Sequence, residues 1–172
     1  ALLGALFESV ISEKLGAPAL VATMLIVFGV ALYIADRFQG QRKEAVFTLK
    51  DALIVGATQA FALQPGVSRS GITMTALRAR GFSREVSARL SFLMLIPIVA
   101  GATLYTSAKT FTGDGIPNNL LWPMVAGVTT SAITGFFAVF ILLKIVRTYS
   151  FTPFVIYRIA AGILIFIWLF FN

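Results

Sequence analysis

The sequence predicts an all-α, polytopic membrane protein, on three observations. The chain is 58% apolar and only 12% charged, with a mean hydropathy of +0.90, whereas soluble domains carry about twice that share of charge. Several stretches approach the ~20 mostly apolar residues that a bilayer span needs. The basic residues fall in the short connections between these stretches, where topology-setting charge is placed. Arg37, Arg42, Lys43 and Lys50 share one connection, Arg78, Arg80 and Arg84 a second, and Lys144 and Arg147 a third. That placement explains the net charge of +7 without nucleic acid as a partner; the implied partner is the lipid bilayer. The absence of cysteine excludes a disulfide framework and thiolate chemistry. The absence of histidine removes the commonest general base and metal ligand.

Residues 1–13 (ALLGALFESVISE) read as the end of a helix that begins earlier, with Glu8 at the membrane interface. With no initiator Met and no signal-peptide pattern, this predicts the C-terminal part of a longer protein. Pro18 opens an apolar span reaching Ala35, and proline suits the first turn of a helix. The polar, basic connection 36–50 follows. Residues 52–64 are then too short to cross, since a helix of that length covers only ~20 Å. They stop at Pro65-Gly66, and helical pattern resumes near Ile72 before Arg78 and Arg80. Two half-helices around a Gly-rich break predict a re-entrant hairpin over about 51–80, with Asp51 as its helix N-cap. Three spans complete the chain. The first covers 86–105, with Glu85 at its start and a kink at Pro97. The second covers 122–143, where Gly127, Ser131 and Gly135 predict close helix packing. The third covers 153–171 and ends in aromatic residues suited to the interface. The whole is one integral membrane domain, 1–172, of about four transmembrane helices plus one hairpin.

Charge placement tests the hairpin. If loop 36–50 is cytoplasmic, a hairpin over 51–80 returns Arg78, Arg80 and Arg84 to the same face. Span 86–105 then leaves 106–121 outside, where Lys109 is offset by Asp114, and span 122–143 brings Lys144 and Arg147 back. Two full crossings would give the same faces, but the halves are too short for that.

The break itself carries the chemistry. An ionisable side chain at membrane depth marks a functional site by default, and Pro65–Gly71 places Arg69 between Ser68 and Ser70, flanked by Gly66 and Gly71. Arginine binds phosphate oxygens bidentately, and Ser68, Ser70 and Thr73 offer hydroxyl donors. The start of the second half-helix, expected near Gly71 to Thr73, adds free N–H groups and partial positive charge. The plainer reading is an ordinary loop with Arg69 snorkelling to water and Thr73 bonded to its own helix. Arg78, Arg80 and Arg84 read as topological, and Arg89 and Arg158 as snorkelling from within their spans. None of the acids Glu8, Glu13, Asp36, Glu44, Asp51, Glu85 and Asp114 is spaced as a carboxylate pair near the break.

The runs GATQAFALQPGVSRSGITMT (56–75), SARLSFLMLIPIVAGAT (87–103) and SFTPFVIYRIAAG (150–162) resemble the bacterial undecaprenyl-diphosphate phosphatase family, the BacA-type bacitracin-resistance proteins. The resemblance covers essentially the whole chain and corresponds to the C-terminal two-thirds of such a protein. It implies a multi-pass protein of the bacterial inner membrane and a transporter-like, inverted-repeat fold of which this is the second half. It implies hydrolysis of undecaprenyl diphosphate to the monophosphate, recycling the lipid carrier for peptidoglycan synthesis. By the same resemblance Ser68, Arg69 and Thr73 are catalytic, and Gly66, Ser70, Gly71 and Gln59 complete the substrate site. The family's Glu-x-x-x-Glu motif, with its serine and histidine, has no counterpart here. A divalent cation, Mg2+ or Ca2+, is therefore expected with ligands outside this chain, in a missing N-terminal repeat; a homodimer is among the assemblies open to it. Two other functions share these features: a transporter or flippase for an anionic lipid, and a structural subunit in which 65–71 is a hinge.

Overall fold

The computed structural model describes residues 16–112 and 118–171; the expected helix end at 1–13, with Glu8 and Glu13, and Asp114 lie outside them. The chain is an all-α polytopic membrane protein. The helices are α1 (Pro18–Arg37), α2 (Leu49–Thr58), α3 (Arg69–Ala79), α4 (Arg84–Thr112), α5 (Leu121–Thr148) and α6 (Thr152–Phe171). Short 3-10 turns lie at Glu44–Val46, Gln59–Leu63 and Asn118–Leu120. Four helices, α1, α4, α5 and α6, are long and apolar enough to cross a membrane. The α4 helix runs past its expected end, so Lys109 sits in its last turn rather than in a loop.

The hairpin closes on itself as length and charge require. Asp51, in the first turn of α2, receives Arg80 Nε from the far end of α3 at 2.8 Å and Arg42 Nη2 at 2.8 Å. Its two ends therefore lie on one side of the molecule. The helix cap differs from expectation: Thr48 is the N-cap, and Asp51 stands three residues on and reciprocates it in a capping box. The register moves because the carboxylate is fully buried between two arginines as well as bonded to Thr48. These contacts hold the Asp51 carboxyl well below the usual carboxylate range, with the Arg42 bond contributing most.

A second buried carboxylate ties the same end together. Asp36, at the end of α1, meets Arg84 Nε at 2.7 Å and Arg78 Nε at 3.4 Å, and accepts the Phe151 N–H at 3.1 Å. Arg78 is itself buried and donates to the carbonyls of Asp36 (3.1 Å), Phe82 (2.5 Å) and Phe38. Arg78, Arg80 and Arg84 are thus structural clamps as well as charges on one face, because carbonyls and carboxylates freed at the helix ends need donors. Arg89 is exposed and pairs with Glu44 at 3.4 Å, and Glu85 pairs with Arg147 at 2.7 Å.

The apolar core lies beside these clamps. Leu32, Met74, Ala88, Val146, Phe151 and Val155 join five helices, and Val55, Ala76, Leu77 and Phe82 close the hairpin beneath. Helices α1 and α6 cross closely: Cβ atoms built on Gly29 and Gly162 would lie 3.3 Å from Ile159 Cγ1 and 2.7 Å from Ile26 Cγ1. In lipid, such small residues let backbones approach where no hydrophobic drive exists. The stripe on α5 behaves otherwise. Positions 127 and 135 meet nothing within 4 Å, so the close packing expected there is not made among the described residues. The outer stretches of α4 and α5 instead form an exposed two-helix arm.

Candidate oxyanion site

The hairpin tip is built by an irregular backbone. Gly66 has φ +91°, a region that suits glycine; a Cβ there would also sit 2.5 Å from the Val21 carbonyl oxygen. Ser68 takes φ +68°, which costs a non-glycine residue of order 1–3 kcal/mol and is retained where the surroundings over-determine it. Here Val67 is buried beside it, and the Ser68 hydroxyl caps α3 by accepting the Gly71 N–H at 3.2 Å. The helix therefore begins at Arg69, earlier than the expected start near Gly71 to Thr73, because Ser68 provides the cap. The N–H groups of Arg69 and Ser70 precede the first possible intrahelical bond and stay available.

The expected site residues divide by geometry. Arg69 is exposed and, among the described residues, makes no ion pair or hydrogen bond through its side chain. Ser68, Ser70 and Gly71, with Tyr157 and Arg158, line one side of a cavity of about 130 Å³ whose remaining walls are the apolar side chains of Leu32, Met74, Leu142, Phe151 and Phe154. At ~30 Å³ per liquid water, this is the scale of a phosphoryl group, not of a lipid tail. Thr73 is buried; its hydroxyl donates to the Arg69 carbonyl at 2.8 Å and accepts from Gln59 Nε2 at 3.4 Å. Gln59 and Thr73 thus stitch the two halves of the hairpin together and fix the first turn that carries Arg69. Gly66 contributes its carbonyl, and Gly71 contributes the absence of a side chain.

What fills the space over Gly71 is Arg158. A Cβ on Gly71 would lie 2.5 Å from Arg158 Nη1. The Nη2 group donates to the carbonyls of Gly66 (2.9 Å) and Val67 (2.8 Å), while Nε and Nη1 are buried without a partner. A buried guanidinium edge with free donors costs free energy unless something binds it. It stands beside a serine cap and a helix N-terminus, a kind of setting that favours an oxyanion. The snorkelling expected of Arg158 does not occur, because the hairpin tip brings two carbonyls to it. The signal was present in sequence: an ionisable residue inside an apolar span is a functional candidate by default.

The acids of the described residues are all engaged elsewhere: Asp36, Asp51, Glu44 and Glu85 each pair with arginine. No group of three metal-ligating side chains occurs among the described residues. These residues do not fit a divalent cation.

The family model for bacitracin resistance protein BacA matches residues 1–164. The chain belongs to the BacA family. Among curated relatives, the undecaprenyl-diphosphatase of Geotalea daltonii is 47% identical over 166 residues, covering 95% of this chain and 61% of that protein. The undecaprenyl-diphosphatase of Pelobacter propionicus is 47% identical over 164 residues (94% and 60%), and that of Hahella chejuensis 42% over 168 residues (97% and 62%). This BacA-family chain therefore spans about three-fifths of the length of the curated relatives it matches.

Proposed function

We propose that this BacA-family chain forms the phosphate-holding half of a lipid diphosphate phosphatase. Its reaction is hydrolysis of undecaprenyl diphosphate, at the bacterial inner membrane, to undecaprenyl phosphate and inorganic phosphate. The observation that carries the reading is the free edge of Arg158, set against the N-terminus of α3 beside Ser68. The names of the relatives support the substrate, and the four apolar helices support the membrane setting.

In this reading the terminal phosphoryl group enters the cavity lined by Ser68, Ser70 and Gly71, beside the Arg158 guanidinium that covers Gly71. Arg158 Nη1 and the N–H groups of Arg69 and Ser70 bind its oxygens, and the exposed Arg69 side chain closes over the diphosphate. Phosphoryl transfer spreads charge over the equatorial oxygens, so catalysis comes mainly from positioned donors. Water adds at the terminal phosphorus, the bond to the bridging oxygen breaks, and that oxygen leaves with the lipid monophosphate. The proton of the attacking water needs a base. The chain has no histidine and the carboxylates of its described residues are paired, so the base, and any divalent cation, come from residues beyond those described, by this proposal from a first repeat.

The test is phosphate release from a prenyl diphosphate by the complete protein carrying Arg69→Ala. Loss of one such donor lowers turnover by about 100-fold or more, with membrane insertion unchanged. Near-normal turnover would overturn the assignment.

A further inference from the structure

A second cationic site lies away from the hairpin tip, independent of the proposed reaction. A cleft of about 900 Å³ opens where the end of α1, the start of α4 and the end of α5 meet. Its walls carry five cations, Arg37, Lys43, Arg78, Arg84 and Arg147, against the carboxylates of Asp36 and Glu85. Arg78 and Arg84 share Asp36, and Arg147 is matched by Glu85. Arg37 and Lys43 are exposed and have no carboxylate partner among the described residues. Arg37 instead stacks on the Tyr33 ring, 4.8 Å from its centroid, and donates to the Tyr33 hydroxyl, which holds its guanidinium at the rim.

The surroundings specify an amphiphile. The clamps on Asp36 and Asp51 place the cleft where the spanning helices end, at headgroup level. Along α1 beside Arg37 runs an exposed apolar ridge of Ile34 (54% exposed), Val30 (40%) and Val27 (50%), continued past the helix end by the C-cap residue Phe38 (55%). The α1 positions recur at helical spacing and form one face. A free anion would use the cations alone, whereas a phospholipid would use cations and ridge together. Basic pockets between spanning helices at the membrane surface bind anionic headgroups for this reason.

We infer that this cleft binds the headgroup phosphate of an anionic glycerophospholipid, held by Arg37 and Lys43 with one acyl chain along the α1 ridge. The test is native mass spectrometry of the complete protein, titrated in parallel with phosphatidylglycerol, phosphatidylcholine and inorganic phosphate. Phosphatidylglycerol is expected to bind about tenfold more tightly than phosphatidylcholine, and Arg37→Gln with Lys43→Gln to remove that preference. Lys109→Gln, at the opposite end of α4, is expected to leave it intact. Thermal unfolding of each variant checks that the fold persists. Equal binding of the two lipids, or a preference unchanged in the double variant, would overturn the site. Inorganic phosphate displacing the lipid at equal concentration would overturn the lipid as its ligand.

Discussion

Arg158 of α6 holds the hairpin tip by its backbone, donating from Nη2 to Gly66 O at 2.9 Å and to Val67 O at 2.8 Å. The last span thus sets the conformation that lets Ser68 cap α3 and leaves the N–H groups of Arg69 and Ser70 open. One guanidinium builds the loop and keeps its Nε and Nη1 groups buried without a partner beside it.

Gly71 is where that guanidinium is most sensitive. In Gly71→Ala the new methyl would fall 2.5 Å from Arg158 Nη1 and 3.1 Å from the Ser68 hydroxyl oxygen. The far end of an arginine can move aside, so insertion and thermal stability are expected to stay near normal. Phosphate release should fall by about 100-fold, the cost of losing one positioned donor. A variant that unfolds, or keeps full activity, would contradict this placement.

Asp51 gives a stability prediction. Asp51→Ala leaves Arg42 and Arg80 facing each other without a counter-ion. The expected loss is about 3 kcal/mol, at the low end for breaking a buried pair because both arginines are about one-third exposed. Thermal unfolding in detergent measures it.

The same group fixes a pH dependence. Its carboxyl is depressed in the folded state, so its stabilisation is complete above the unfolded carboxylate range, near pH 4, and is lost only as pH falls further. Between pH 8 and 5, the stability difference between the native protein and Asp51→Asn should therefore be constant. A difference that shrinks over that window would show the carboxylate taking up protons there.

The α1–α6 crossing makes a fourth prediction. Gly162→Val must displace Ile26 Cγ1, 2.7 Å from the new Cβ, and the Ala22 carbonyl oxygen at 2.9 Å. Backbone cannot yield as a side-chain end can, so a loss of about 1–3 kcal/mol is expected. Gly127→Ala, which meets nothing within 4 Å, serves as the neutral comparison among the described residues.

Much of this architecture is legible in the sequence, since span length and apolar content are set by the bilayer and not by tertiary detail. The hairpin could be read from the shortness of 52–64 and from the return of Arg78 and Arg80 to the basic face. Long-range partners could not. Asp51 looks like a cap because its ion pairs come from nine positions upstream and twenty-nine downstream. Arg158 looks like a snorkelling residue because its partners, the Gly66 and Val67 carbonyls, lie 92 and 91 positions away. Ser68 and Arg69 were recognisable as a motif, but only the positive φ of Ser68 shows why the helix starts there.

The most direct test of the account is phosphate release from undecaprenyl diphosphate by the complete protein carrying Arg158→Ala, with Arg158→Lys in parallel. Both variants are expected to insert normally and to lose about 100-fold or more of turnover, because a lysine has one nitrogen where the guanidinium uses two, Nη2 for the tip carbonyls and Nη1 for the phosphate. Turnover within a few-fold of the native protein in Arg158→Ala would contradict the placement of the oxyanion site beside Arg158.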